Sequence, residues 1–522
     1  MRCSELEKAL KQMDKRYVKA FVWAFALINL AFLFHSINFM FGDHDWNYVR
    51  GATYWNEGAF EGRPLHFVLQ SLFFGGQILP FLNNFLAFAA LALSGILLAK
   101  YWKLPLSVAD YALFAAFPAV LPYTLVWLYY AKDTLINLSL PLLSIAALLC
   151  AAVAGEQKKP WLHLPAVLLM FFAIASYAAV INLFGVCLIG AFIAAYAGGA
   201  SFRTAVRAPL FAMLDVCVAL VLYKCVLAFS DITSDYNTRI ITLAYLPEKL
   251  METLKAMLSQ FVVPLPFMEY KYKLLLLVFC LFGFGAAVWR AGLKKLPLLL
   301  LAAGGLLLAS KAAFFIADER GQILAEMENF AYVPRLDFYG LAYIYALAAA
   351  LVLRFSAGRW RKAGLAFIVV LVFMSCVRDM YAQKVWKLGF DAEMKAHERV
   401  VARIESRPEF NIRRRYRLLQ IGSFSLRQNY YRRGAGEETS LDLLETSFTP
   451  EFMSRIVYNF YYPEDVFYTN AVVEELSPRG KEFIATTAKP WPAQESVYID
   501  GDIVVVVLTG EGLDKARRKI GR

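Results

Sequence analysis

Asp43 and Asp45 stand one residue apart, directly after an apolar run that ends at Phe41. In an extended segment residues i and i+2 point to the same side. The two carboxylates can therefore face one site, where they would share a divalent cation such as Mg or Mn, or act as general base and stabiliser. Trp46, Arg50, Tyr54, Trp55 and Glu57 follow, and then the turn Gly62–Arg63–Pro64. These residue types suit a sugar phosphate. Arg50 and Arg63 can pair with phosphate, while Trp46, Tyr54 and Trp55 offer faces to a pyranose ring and Glu57 can accept from a hydroxyl. Asp43, nearest the membrane exit, is the first candidate for base. Asp45 would then orient the acceptor, support the loop or share a metal. Further along, Lys311 lies inside an apolar block and Arg335 follows Pro334. With Arg63 they are expected to form a phosphate cradle, the competing reading being that Arg335 pairs with Asp337 or with lipid headgroups. His44 and His66 with the two Asp are too few to argue for zinc. Lys132–Asp133, after Tyr129–Tyr130, reads as an anchor at the bilayer edge.

The elements that must hold these residues are membrane spans. The chain has 522 residues, 59% hydrophobic and only 18% charged. Its apolar residues come in blocks of about twenty, the length that crosses a bilayer core. The periodicity predicts about eleven spans, at 17–38, 80–101, 106–125, 134–154, 161–177, 179–199, 208–229, 273–290, 296–317, 337–356 and 363–380. Residues 64–79 are too short for a span and read as an interfacial or re-entrant helix broken at Gly75–Gly76. The polar, basic start and the lack of a small-residue cleavage site predict a retained first helix rather than a signal peptide.

Lys100 and Lys103, Lys158 and Lys159, Arg203 and Arg207, Arg290, Lys294 and Lys295, and Arg354, Arg359, Arg361 and Lys362 fall in alternate loops. The positive-inside rule puts these and the basic N-terminus in the cytoplasm, and residues 381–522 outside. The net charge of +12 is thereby assigned to membrane orientation, not to nucleic acid. The cysteines lie at the N-terminus or in apolar blocks without metal-site spacing, so neither disulfides nor cysteine-bound zinc are expected. The expected fold is an all-α polytopic domain, 1–380, followed by a small α+β domain, 381–522. In the latter, Asp391–Ser406 reads as helix and Tyr416–Ile421 and Asp502–Leu508 as strands. The tail tyrosines are read as its core, and Arg413–Arg415 as a solvated basic run.

The order of apolar span, acidic motif, Gly62–Arg63–Pro64–Leu65 and apolar helix resembles the bacterial type II glucosyltransferases that convert O-antigen serotype. These are members of the wider GT-C class of polytopic glycosyltransferases. Ser176–Tyr177 at a tight external turn, Tyr332–Val333–Pro334–Arg335 before a late span, and the closing strand Gly501–Leu508 are similar too. His44 between the two acidic residues departs from the adjacent pair often found there, which leaves open which Asp is the base. The resemblance implies a GT-C-like catalytic domain in the bacterial inner membrane. It also implies a polyprenyl-phosphate sugar donor, used on the periplasmic side, and a polysaccharide or lipid-linked glycan as acceptor. A transporter or flippase of lipid-linked glycans, or a polymerase or ligase, is the rival class. Against transport stand the absence of the phosphate loop of ATP-driven pumps and of a detectable inverted repeat.

Overall fold

The computed structural model describes residues 15–38, 40, 45, 63–66, 68–75, 77–229, 243–261, 268–316, 333–422, 454–462 and 465–521. Asp43, Trp46, Arg50, Tyr54, Trp55 and Glu57 lie outside the described residues. The described residues fall into two compact units. The first runs to Tyr381; the second begins at Ala382 and also takes in Met40 and Asp45.

The first unit is helical. In chain order its elements are α1 (Lys15–Ile37), α2 (Val68–Phe74), α3 (Pro80–Tyr101), α4 (Val108–Ala116), α5 (Tyr123–Leu128), α6 (Ala131–Gln157), α7 (His163–Ser176) and α8 (Val180–Ala197). Then come α9 (Phe202–Phe229), α10 (Leu246–Ser259), α11 (Tyr270–Ala291), α12 (Leu296–Ala309), α13 (Ala312–Ile316), α14 (Val333–Tyr339), α15 (Leu341–Phe355) and the first part of α16 (Gly358–Glu405), whose residues from Ala382 onward belong to the second unit. Among the described residues, eight helices are long and apolar enough to cross a membrane: α1, α3, α6, α8, α9, α11, the α14–α15 stretch Arg335–Phe355, and α16.

The other three predicted spans are shorter or interrupted. Pro160–Ser176 is a short apolar helix. The block at 106–125 divides into α4 and α5, with Pro118 and Pro122 in the break; proline has no N–H to donate and cannot continue a helix ladder. The block at 296–317 divides at Ser310–Lys311 into α12 and α13. The segment predicted as interfacial holds α2, which stops at Gly75 with φ +57°, a left-handed conformation that favours glycine. The predicted external loop 230–272 carries α10, whose Lys249 lies over the Phe314 ring at 3.9 Å.

The breaks in the helices are supported by specific side chains. Pro141 sits inside α6 and has no N–H for the carbonyl of Asn137, four residues back. The Tyr339 hydroxyl donates to that oxygen instead, at 2.8 Å. The start of α13 is held by Asn182, whose Oδ1 accepts from the Ala313 amide at 2.8 Å. Gly340 lets α14–α15 approach the other break, because a Cβ there would lie 2.5 Å from the Ser310 carbonyl oxygen. Tyr339→Phe should therefore strand a buried carbonyl and cost about 1–3 kcal/mol. The measurement is the denaturation midpoint of the purified protein in one detergent. An unchanged midpoint would mean that the hydroxyl is dispensable.

At the end of the bundle that carries the basic loops, polar side chains tie neighbouring helices. Lys103 pairs with Glu156 at 2.5 Å and Arg361 with Asp110 at 2.6 Å. Arg354 donates to the Trp102 carbonyl at 2.7 Å.

The second unit is a sheet with helices on both faces. Its strands are β1 (Tyr416–Ile421), β2 (Phe467–Asn470), β3 (Val497–Asp500) and β4 (Ile503–Val507), in the order β2-β1-β4-β3. β1 runs parallel to β2 and β4, and β3 closes the edge antiparallel. Every residue of β4 is buried because both faces are covered. Val504 and Val506 pack with Val400 and Ile404 of α16 and with Tyr458 of α17 (Ser454–Asn459). Ile503, Val505 and Val507 pack on the opposite face with Leu476, Ile484 and Leu513. A continuous Val/Ile run is what such a doubly covered strand requires.

His397 lies on α16 well past its apolar stretch, in the second unit, and is buried with its ring 5.4 Å from that of Tyr458. Burial lowers its imidazole from 6.5 to about 3. As pH falls below the unfolded value, the unfolded chain binds a proton that the folded unit excludes. Stability is therefore lost from about pH 6.5 downward, by at most about 1.4 kcal/mol per pH unit. Hydrogen exchange of the sheet amides in the full-length protein, corrected for intrinsic rates, should show this slope. His397→Phe should flatten it, and an equal slope in both proteins would remove His397 as the cause.

Candidate active site

Four segments that the charge pattern assigns to one face of the membrane meet in the first unit. The turn after Arg63 reaches the end of α7, where the Leu65 amide donates to the Ala175 carbonyl at 3.3 Å. His66, next in line, is buried between two oxygens. Its Nδ1 is 3.0 Å from the Ser176 carbonyl and its Nε2 is 2.8 Å from Oδ1 of Asp133, at the start of α6. A carbonyl and a carboxylate both accept, so each ring nitrogen of His66 faces an acceptor. Lys132 and Arg63 add positive charge around that carboxylate.

Aromatic rings line the same region. The Arg63 guanidinium lies over Tyr177, 4.8 Å from the ring centre, and that of Arg335 over Tyr130, 5.1 Å away. Tyr177 stands edge-on to Trp127 at 5.2 Å, and both neighbour Tyr339. Stacking uses the face of a guanidinium, whereas phosphate recognition uses its edge, so the two are compatible. The local geometry follows from the α5–α6 junction. The Thr134 hydroxyl donates to the Trp127 and Tyr130 carbonyls at 2.9 and 3.1 Å, which closes the turn and sets Tyr130 and Asp133 at its rim.

Lys311 and Asp337 form a second buried polar centre. They pair across the two helix breaks, with side chains 2% and 0% exposed. Lys273, at the start of α11, lies within electrostatic reach of both and donates to the Gln260 carbonyl at 2.9 Å. Asp337 is thus the partner of Lys311, while Arg335, two residues earlier, rests on Tyr130.

Of the catalytic and ligand-binding residues predicted from sequence, the structure describes Asp45, Arg63, Lys311 and Arg335. Asp45 is fully buried and belongs to the second unit. Arg63 and Arg335 sit on the aromatic groups of the first unit. The His66–Asp133 pair was not foreseen. Its members are 67 residues apart, and the one available signal was an acidic residue at the edge of a span in a very short loop. Among the described residues, no group of three or more His, Cys, Asp or Glu side chains converges as a metal site would.

The helices define a multi-span membrane protein whose buried ionic pairs, arginines and aromatic faces gather around the same helix ends and breaks. The sequence profile of the glucosyl transferase GtrII family matches residues 13–320, more than half of the chain, and the protein belongs to that family. It is accordingly a glycosyltransferase of the membrane. No curated protein matches the chain.

Proposed function

We propose that this protein moves a hexose, glucose by family, from a polyprenyl-phosphate carrier to a hydroxyl of a surface polysaccharide of O-antigen type, at the periplasmic face of the bacterial inner membrane. The observation that carries this reading is the pair of arginines, Arg63 and Arg335, held on tyrosine faces in segments assigned to one membrane side. A lipid-linked donor is confined to the bilayer and presents its phosphate at headgroup level. Cations fixed at the helix ends suit that position.

In the proposed reaction Asp43 takes the proton of the acceptor hydroxyl, and the oxygen forms a bond to the anomeric carbon. The bond from that carbon to the carrier phosphate breaks, and its electron pair leaves with the phosphate. Arg63 and Arg335 offset the charge that develops there, with Arg50 adding to the cradle. A single displacement of this kind inverts the anomeric configuration. Asp45, which is buried, is assigned the supporting role in this reading, and Asp43 that of the base. Trp46, Tyr54, Trp55 and Glu57 are assigned to the sugar and acceptor, and a divalent cation, if used, to Asp43 and Asp45. His66–Asp133 would hold the Arg63 turn against α7.

The test is purified protein with radiolabelled polyprenyl-phosphate glucose. Label appearing on the acceptor supports transfer; label crossing vesicles unchanged would make the protein a transporter. Arg63→Ala and Arg335→Ala should each weaken donor binding by about tenfold or more, the worth of a charged hydrogen bond. Arg63→Lys should not restore it, because an ammonium cannot pair in the two-pronged way of a guanidinium. Unchanged donor affinity in both alanine variants would reject the cradle.

A further inference from the structure

A cavity of about 380 Å³ with an almost wholly apolar lining opens between α8, α9 and α12. Phe192 forms part of its floor, Val206 and Leu210 one wall, and Leu298 and Leu301 the other. Leu210 and Leu301 are exposed, so the cavity is a groove open to the surface of the helical unit. It starts at Leu188 on α8, roughly two turns beyond the helix start near Tyr177. It therefore lies toward the end that carries the basic loops, away from Arg63 and Arg335.

The charges at that end complement an anion. Arg203 and Arg207 are exposed, each one residue past a groove-lining position, Phe202 and Val206. Lys294 is exposed one turn before Leu298. Lys295 fastens this mouth: it donates to the Tyr196 and Ala200 carbonyls at 2.8 and 3.4 Å, at the close of α8. An apolar groove between spans that ends in a basic cluster matches a molecule with a hydrocarbon chain and a phosphate. Basic pockets between spans on the positive side of a membrane hold anionic headgroups in this way.

We infer that the groove binds an anionic glycerophospholipid of the bilayer, an acyl chain lying between α9 and α12 and the phosphate against Arg203, Arg207 and Lys294. The site is separate from the transfer site, and its occupancy does not depend on the transfer chemistry. The lipid would brace α9 and α12 against α8.

Native mass spectrometry of the full-length protein tests this, with phosphatidylglycerol and phosphatidylcholine of identical acyl chains. Phosphatidylglycerol should be retained about tenfold more strongly. The combined variant Arg203→Gln, Arg207→Gln, Lys294→Gln should reduce its retention to near that of phosphatidylcholine, whose own retention should fall less because its choline already offsets the phosphate charge. Leu301→Trp, which fills the groove, should weaken both lipids. Should that variant fail to fold, the charge variant, confined to exposed positions, still decides. Equal retention of the two lipids by the parent protein would overturn the proposal. So would undiminished phosphatidylglycerol binding by the charge variant, or its displacement by equimolar polyprenyl phosphate, which would make the groove a donor site.

Discussion

Asp43→Asn should lower sugar transfer by about a hundredfold or more while donor binding stays near that of the parent protein. Asparagine keeps the shape of the side chain and removes its capacity to take a proton, so the substitution separates chemistry from folding. The comparison is with Asp45→Asn at matched membrane expression. Asp45 is buried, and its variant should act first on the amount of folded protein, with transfer per folded molecule less affected. Near-normal transfer by both variants would show that neither carboxylate is the base. Chelation adds a separate arm: activity lost with EDTA and restored by Mg or Mn would assign the pair to a cation rather than to base catalysis alone.

The second large effect concerns Lys311 and Asp337. Both side chains are almost fully enclosed. Removing one partner leaves the other charge buried, which costs about 3–5 kcal/mol, whereas replacing both with apolar residues of similar size is often near neutral. Lys311→Met and Asp337→Leu should each strongly reduce the yield and melting temperature of the purified protein. The double variant should recover most of the loss. This series also separates two roles for Lys311. If the lysine only neutralises Asp337, the folded double variant binds donor normally; if it also holds the donor phosphate, binding fails although folding recovers. Equal stability of both single variants and the parent would show that the ion pair contributes nothing.

Chain-local properties made much of this molecule legible before any coordinates. Apolar blocks of membrane length fall on α1, α3, α6, α8, α9, α11, the α14–α15 stretch and α16 because backbone hydrogen bonding in hydrocarbon must be satisfied within the helix. The Val/Ile run of β4 became a strand for a similar reason, since a strand covered on both faces needs apolar residues at every position, and Tyr416–Ile421 pairs with it in parallel. The motif order around Gly62–Arg63–Pro64 pointed to the family that the profile match then established.

What the tertiary structure decided is where polar groups meet. A span periodicity does not tell that Pro141 leaves a carbonyl for Tyr339, or that Asn182 serves the start of α13. The proline in α6 and the interruption of α12–α13 are tolerated because side chains from distant helices supply the hydrogen bonds that the local backbone lacks. The pairing of His66 with Asp133 and of Lys311 with Asp337 has the same origin. Each residue alone reads as an edge or membrane charge with several conceivable partners. Which one it takes depends on how helices far apart in sequence pack, because burial makes an unpaired charge costly and so couples residues that no local spacing connects.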